Sequence, residues 1–202
     1  HNMFTPGNYF YNGIGHVTVD YGKVITYGYS EYIEEIEDEL SSMRVSDGNY
    51  CKKHALLEAM LISLRAVIRY AKRYSRLAKE MAGRESDGKR REELLKISEA
   101  CDRVPEFGAR DFHEACQSFW FVQMLLQTES SGHSISPGRF DQYMYPHYKK
   151  SLEAGMSREQ AQELIDCVWV KLNDLNKCRD EVSAEGFAGY SLFQNLIVGG
   201  QD

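Results

Sequence analysis

Apolar residues recur at three- and four-residue intervals along most of this chain, and short polar stretches bearing glycine or proline separate the runs. From Asp20 the spacing of Val24, Tyr27, Ile33, Ile36, Leu40 and Met43 predicts a helix, with Asp20 or Ser30 as N-cap and Asp47-Gly48 closing it. Gly22 and Gly28 weaken that helix. Asn49 then caps a long one. Leu56, Leu57, Met60, Leu61, Leu64, Val67, Ile68, Tyr74, Leu77 and Met81 carry the period as far as Gly83, which gives about 50 Å of helix at the usual rise. After Ser86-Asp87-Gly88, Leu94, Leu95, Ile97 and Cys101 line a shorter helix that Val104-Pro105 ends.

Asp111 caps the next helix, Phe112 to Thr128, whose Phe119-Trp-Phe-Val122 and Met124-Leu-Leu126 leave almost no polar face. Its Gln123, Gln127 and Glu129 need buried partners, which neighbouring helices supply on the simplest reading. Glu129 to Tyr148 reads as a polar loop whose last part is aromatic and broken by Pro146. The capping box Ser157-Arg-Glu-Gln160 opens a helix through Leu164, Ile165, Val168, Trp169, Leu172 and Leu175. A polar loop from Asn176 to Gly189 leads to Tyr190 to Val198, where Leu192, Phe193, Leu196, Ile197 and Val198 make a short apolar run predicted as a buried strand. One late strand makes no sheet, so its partners are expected outside the chain. Both ends are accordingly expected to lie inside a larger fold.

Composition changes this picture little. The chain has 202 residues, 43% of them hydrophobic, and 24 Lys and Arg against 30 Asp and Glu leave a charge of -6. That balance lacks the basic footprint of a nucleic-acid binder. The basic edge Arg65, Arg69, Arg73 and Arg76 is interleaved with acids and reads as an ion-paired surface. Cys51, Cys101, Cys116, Cys167 and Cys178 form no Cys-x-x-Cys pair and no Cys/His cluster, so reduced, mostly buried thiols in the cytoplasm and no metal site are expected. No apolar run is long enough for a membrane span.

Candidate chemistry concentrates in the loop after the apolar helix. Gly132, Pro137 and Gly138 break regular structure beside His133, Ser134, Ser136, Arg139 and Asp141, which donate, accept or carry charge. A polar loop held between rigid elements presents side chains to a small ligand; equally, its Ser and His could merely cap backbone groups. The segment His1 to Val19 is expected to be an ordered loop rich in aromatics and glycine, with Asn8, Asn12 and His16 as its polar members. His16, between Gly15 and Val17, is either a satisfied structural residue or a group that flanking glycines let approach a ligand.

Four blocks carry a resemblance. His113-Glu-Ala-Cys-Gln-Ser-Phe-Trp-Phe121, Gly132-His-Ser-Ile-Ser-Pro-Gly-Arg-Phe-Asp-Gln-Tyr143, Trp169-Val-Lys-Leu-Asn-Asp174 and Gln194-Asn-Leu-Ile-Val-Gly-Gly-Gln201 resemble the pyruvate formate-lyase domain of the glycyl radical enzymes. Within that family, Phe4-Thr-Pro-Gly-Asn-Tyr-Phe-Tyr-Asn-Gly-Ile-Gly-His-Val-Thr-Val-Asp-Tyr21 is most similar to the cobalamin-independent glycerol and propanediol dehydratases.

The resemblance implies an α/β fold, a ten-stranded α/β barrel of which residues 1–202 are a mainly helical slice of a single domain with a late barrel strand. It implies a glycyl radical lyase, a homodimer working in anaerobic metabolism, that turns glycerol or propane-1,2-diol into an aldehyde and water. The radical glycine and the Gly-Cys-Val-Glu-Pro cysteine loop of the family do not occur in this chain, so none of its five cysteines is given a radical role. The implied cofactor is that organic radical, installed by a partner activase using S-adenosylmethionine and an iron-sulfur cluster. Asn8, His16, His133 and Ser134 match the substrate-binding positions, with His16 and His133 as candidates to deliver a proton to the departing hydroxyl. Choline lyases share the central loop but carry a tyrosine and an aspartate where Phe4 and Asn12 stand, and Pro6 and Phe10 occupy the places of arginines that clamp a sulfonate. These differences leave a small uncharged diol as the implied substrate; the alternatives are a choline trimethylamine-lyase or another glycyl radical lyase, or a catalytically silent helical interaction module.

Overall fold

A computed structural model describes residues 15–130, 132–175, 181, 185 and 193–199. The expected N-terminal loop up to residue 14, most of the loop from Asn176 to Gly189, and Tyr190 to Leu192 at the start of the predicted strand lie outside the described residues. Among those described, the elements are β1 (Val17–Thr18), α1 (Tyr21–Tyr27), α2 (Tyr29–Ser42), α3 (Tyr50–Arg84), α4 (Gly88–Arg103), α5 (Phe112–Glu129), β2 (Ile135–Ser136), β3 (Gly138–Arg139), α6 (Phe140–Glu153), α7 (Arg158–Asn173) and β4 (Leu196–Ile197). The chain forms two compact units, residues 23–118 and residues 1–22 with 119–202.

In the unit 23–118, Gly28 splits the single helix expected from Asp20 into α1 and α2, and α2 stops at Ser42 rather than at Asp47-Gly48. Gly28 sits at φ 82°, and a Cβ there would come within 2.5 Å of the backbone of Glu106 and Phe107. The break lets the segment after α4 dock: Tyr29 N donates to Pro105 O (2.8 Å), Ser30 donates to Glu106 O through both its amide and its hydroxyl, and Ala109 N donates to Ile25 O (2.8 Å). Asp111 caps α5 by accepting from Glu114 N at 2.9 Å. The buried Glu114 carboxylate accepts from Arg110 N and Nε and lies 3.6 Å from Arg103 Nε, so its charge is compensated where water cannot reach it.

Helix α3 has the predicted length but buries another face. Ala71, Ser75, Ala78 and Ala82 are its buried residues in the second half, four and three apart, whereas Leu56, Met60, Tyr74, Leu77 and Met81 of the expected stripe are exposed. Small side chains let α4 come close enough for Ser98 Oγ to donate to Ser75 O at 2.9 Å. Of the basic edge, Arg65 pairs with Glu37 on α2. The thiols divide differently from expectation: Cys101 and Cys116 are buried, Cys51 and Cys167 exposed. Burial pushes the Cys101 thiol up to about 12.

The other unit is built on aromatic packing. Phe119 lies 4.9 Å from the Tyr21 ring and 5.1 Å from Phe140, which in turn lies 5.8 Å from Trp169 on α7. This packing corrects the reading of residues 140–148 as loop. They are the start of α6, with Phe140 and Met144 buried one turn apart, and the helix accommodates Pro146 even though proline removes one main-chain donor. The capping box of α7 is present, Ser157 Oγ accepting from Gln160 N and Gln160 Oε1 from Ser157 N. The late strand is shorter than expected, and its partner lies inside the chain: β3 pairs parallel with β4, Gly138 opposite Leu196. The other parallel pair, β1 with β2, sets Val17 opposite Ile135. Isolated two-residue strands in a polar loop have no periodicity to read, which is why neither pair is visible in the sequence.

Candidate active site

The β1 and β2 pairing aligns the residues that precede each strand. His16 N donates to His133 O at 3.3 Å and Val17 N to Ser134 O at 3.2 Å, so the two segments run together before the strands begin. Gly15 makes the approach possible, because a Cβ there would stand 1.9 Å from His133 O. The close approach made by this glycine is to the second histidine's own backbone. His16 and Ser134 both adopt the left-handed region, φ 57° and 58°, a conformation that costs a non-glycine residue on the order of 1 kcal/mol or more. Strain of this kind persists only where surrounding bonds over-determine it.

Held in this way, the imidazoles meet across 117 positions of sequence. His16 Nε2 and His133 Nε2 are 3.1 Å apart, with ring centroids at 4.8 Å and planes at 74°. At that distance one imidazole nitrogen can donate to the other, the direction being set by the tautomers. Ser134 is buried directly beside them, and His133 N donates to Ser130 Oγ at 3.3 Å. Of the four residues expected to bind substrate, His16, His133 and Ser134 are thus gathered at one place, and Asn8 lies outside the described residues.

The rest of the loop fixes strands. Ser136 Oγ donates to Phe193 O and accepts from Asn195 N, each at 3.3 Å, and Asp141 Oδ2 accepts from Gly199 N at 2.6 Å, so both hold the segment around β4. Tyr143 donates its hydroxyl to Pro137 O at 2.9 Å, and burial raises its pKa well above the ordinary phenol. Gln123 and Gln127 find a shared partner on a strand, both donating to Ile135 O, at 2.9 and 3.3 Å, while Gln123 also has the expected helix partner, its Oε1 accepting from the Tyr21 hydroxyl on α1. Two amides four residues apart on an otherwise apolar helix were the available signal, but their target could not be read without the pairing. Glu129, expected to need a buried partner, is exposed. Among the described residues no group of three or more His, Cys, Asp or Glu is placed to hold a metal ion.

A mostly helical α/β chain with short parallel strand pairs and a histidine pair at their leading ends matches one family over its whole length. Residues 1–202 match the family described as Pyruvate formate lyase-like, and the chain belongs to it. Among solved structures, it is similar to one described as 1,2-propanediol dehydration in Roseburia inulinivorans, with 64% identity and a TM-score of 0.91 over 99% of this chain and 25% of that one. The glycerol-bound form of the B12-independent glycerol dehydratase from Clostridium butyricum is 51% identical, with a TM-score of 0.90 over 98% of this chain and 25% of that one. A glycyl radical enzyme from Archaeoglobus fulgidus is 39% identical, with a TM-score of 0.87 over 94% and 25%. The chain spans about a quarter of the length of the curated relatives it matches as well.

Proposed function

We propose that this chain is the substrate-binding part of a glycyl radical dehydratase that converts propane-1,2-diol or glycerol to an aldehyde and water. The observation that carries the reading is the opposed His16 and His133 pair beside Ser134, in a chain 64% and 51% identical to proteins described by propanediol dehydration and by glycerol binding. Neutral donors and acceptors suit a small uncharged polyol: a serine hydroxyl and the Asn8 amide orient two hydroxyl groups without requiring charge on the substrate. When a carbon–oxygen bond breaks, the departing hydroxyl needs a proton to leave as water, and an imidazole within hydrogen-bond reach is suited to supply it near neutral pH. His16 and His133 are the candidates for that transfer, with Asn8 and Ser134 as binding residues.

In this reading residues 1–202 belong to one domain of a cytoplasmic homodimer. The hydrogen-atom abstraction is supplied by a glycyl radical and a cysteine elsewhere in the protein, the radical being installed by an activase that uses S-adenosylmethionine and an iron-sulfur cluster. The test uses the whole activated protein without oxygen. Propane-1,2-diol and glycerol should give aldehyde while choline gives no trimethylamine, and His133→Gln should lower kcat by about a hundredfold or more. Asn8→Ala should act mainly on KM. Trimethylamine release, or turnover indifferent to both substitutions, would refute the proposal.

A further inference from the structure

The imidazoles of the candidate site precede β1 and β2, with His16 exposed and His133 half-buried, so where His133 points depends on what holds the backbone of β2. Gln123 does this by position. It is 0% exposed on α5, and every hydrogen-bonding group of its amide is used. Its Oε1 accepts from the buried Tyr21 hydroxyl. Its two N–H groups donate to Ile135 O (2.9 Å) and to Gln194 Oε1 (2.8 Å), and Gln194 Nε2 donates onward to Leu172 O at 3.0 Å. One side chain therefore ties together the start of α1, strand β2 and the segment leading into β4, which Gln194 by itself fastens to the end of α7.

The carbonyl that it holds belongs to the residue immediately after Ser134, and the backbone of that same stretch receives His16 N and Val17 N. A displacement of Ile135 O would be passed to His133, to Ser134 and, through the paired backbone, to His16. Gln127 Nε2 also donates to Ile135 O, at 3.3 Å, so without Gln123 that carbonyl keeps one longer bond and β2 is held more loosely, where water cannot make up the loss.

We infer that Gln123 is the positioning residue of the diol site: it touches neither substrate nor reacting atoms, and it sets the separation of the two imidazoles by anchoring β2. The role rests on the proposed dehydratase reading for its catalytic consequence, but the anchoring itself does not. Gln123→Met keeps the length and apolar volume of the side chain and removes both donors and the acceptor. Tyr21→Phe removes one hydroxyl and leaves both Gln123 donors engaged, and Val168→Ala, a buried position on α7, serves as a control for lost stability.

In the whole activated protein, Gln123→Met should lower kcat for propane-1,2-diol by about ten- to a hundredfold with little change in KM, since misplacement of proton-transfer groups acts on the transition state. Tyr21→Phe should have a smaller effect of the same kind, and Val168→Ala should melt at least as early as Gln123→Met yet keep its kcat. Hydrogen–deuterium exchange gives a readout independent of turnover. Amides in 15–18 and 132–136 should exchange about tenfold faster in Gln123→Met, while those in 158–173 keep their wild-type rates. Exchange in 15–18 and 132–136 unchanged from wild type, or an equal loss of kcat in the Val168→Ala control, overturns the inference. Faster local exchange in a protein that turns over no diol would leave the anchoring standing and defeat the proposed function instead.

Discussion

Single residues set this site by what they exclude. Gly15 is the sharpest case, because the backbone of His133 occupies the space where any side chain would begin. Gly15→Ala should force the two segments apart, destabilise the protein by about 1–3 kcal/mol and lower kcat by about a hundredfold, as thermal melting and steady-state kinetics would register together. In the sequence this glycine was one of several in an aromatic loop, and nothing there says what approaches it. His113 shows a different residue-level effect. Burial depresses its pKa below the ordinary histidine value of 6.5, with Asp111 and Glu114 opposing the shift and Lys96 reinforcing it. With the folded pKa below the unfolded one, the unfolded chain binds the extra proton first. The associated stability is therefore full above about pH 6.5 and is lost as pH falls from there to the depressed value. Melting midpoints of the whole protein measured across that window should fall with acidification, and His113→Gln should flatten this part of the profile.

At the scale of elements, periodicity predicts helices well and their faces less well. Helices α3, α4, α5 and α7 stand close to where the three- and four-residue spacing, the Asp111 cap and the Ser157 capping box put them. The buried face of α3, however, is its small-residue face, because close packing with α4 rewards side chains that admit the neighbouring backbone. Tyr74, Leu77 and Met81, three and four residues apart, remain together on an exposed face. Expressed by itself, residues 1–202 should associate in a concentration-dependent way through such a patch, and Leu77→Lys with Met81→Lys should shift sedimentation toward the monomer. The two strand pairs mark the opposite limit. Their two-residue lengths carry no alternation, and the late apolar run could not reveal that Gly138 and Arg139 would pair with it.

For the whole molecule, two units each close a core of their own, one on small helix faces and the Glu114 ion cluster, the other on the Phe119, Phe140 and Trp169 aromatics. Family membership follows from a match over residues 1–202, and the same blocks of residues that made the family legible, from His113 to Gln201, are those that build α5, β2, β3, α7 and β4. Such blocks combine special backbone positions with side chains that serve them: Gly132 and Gly138 at positive φ, Ser136 and Asp141 bonded to backbone around β4. They are recognisable in sequence because each residue answers a local demand that few other residue types meet.

The sequence by itself determined helices α3, α4, α5 and α7, the Asp111 cap and the Ser157 capping box, the family and the residue types available for the chemistry, because those follow from local spacing and from motifs of adjacent residues. Only tertiary structure decided that His16 and His133 face each other with Nε2 atoms 3.1 Å apart, that Gln123 bonds to the backbone of β2, and that α3 turns its small side chains inward. Each of these depends on strand register or helix approach between segments distant in the chain, and such contacts are fixed by packing and hydrogen bonding across space rather than by any pattern along it.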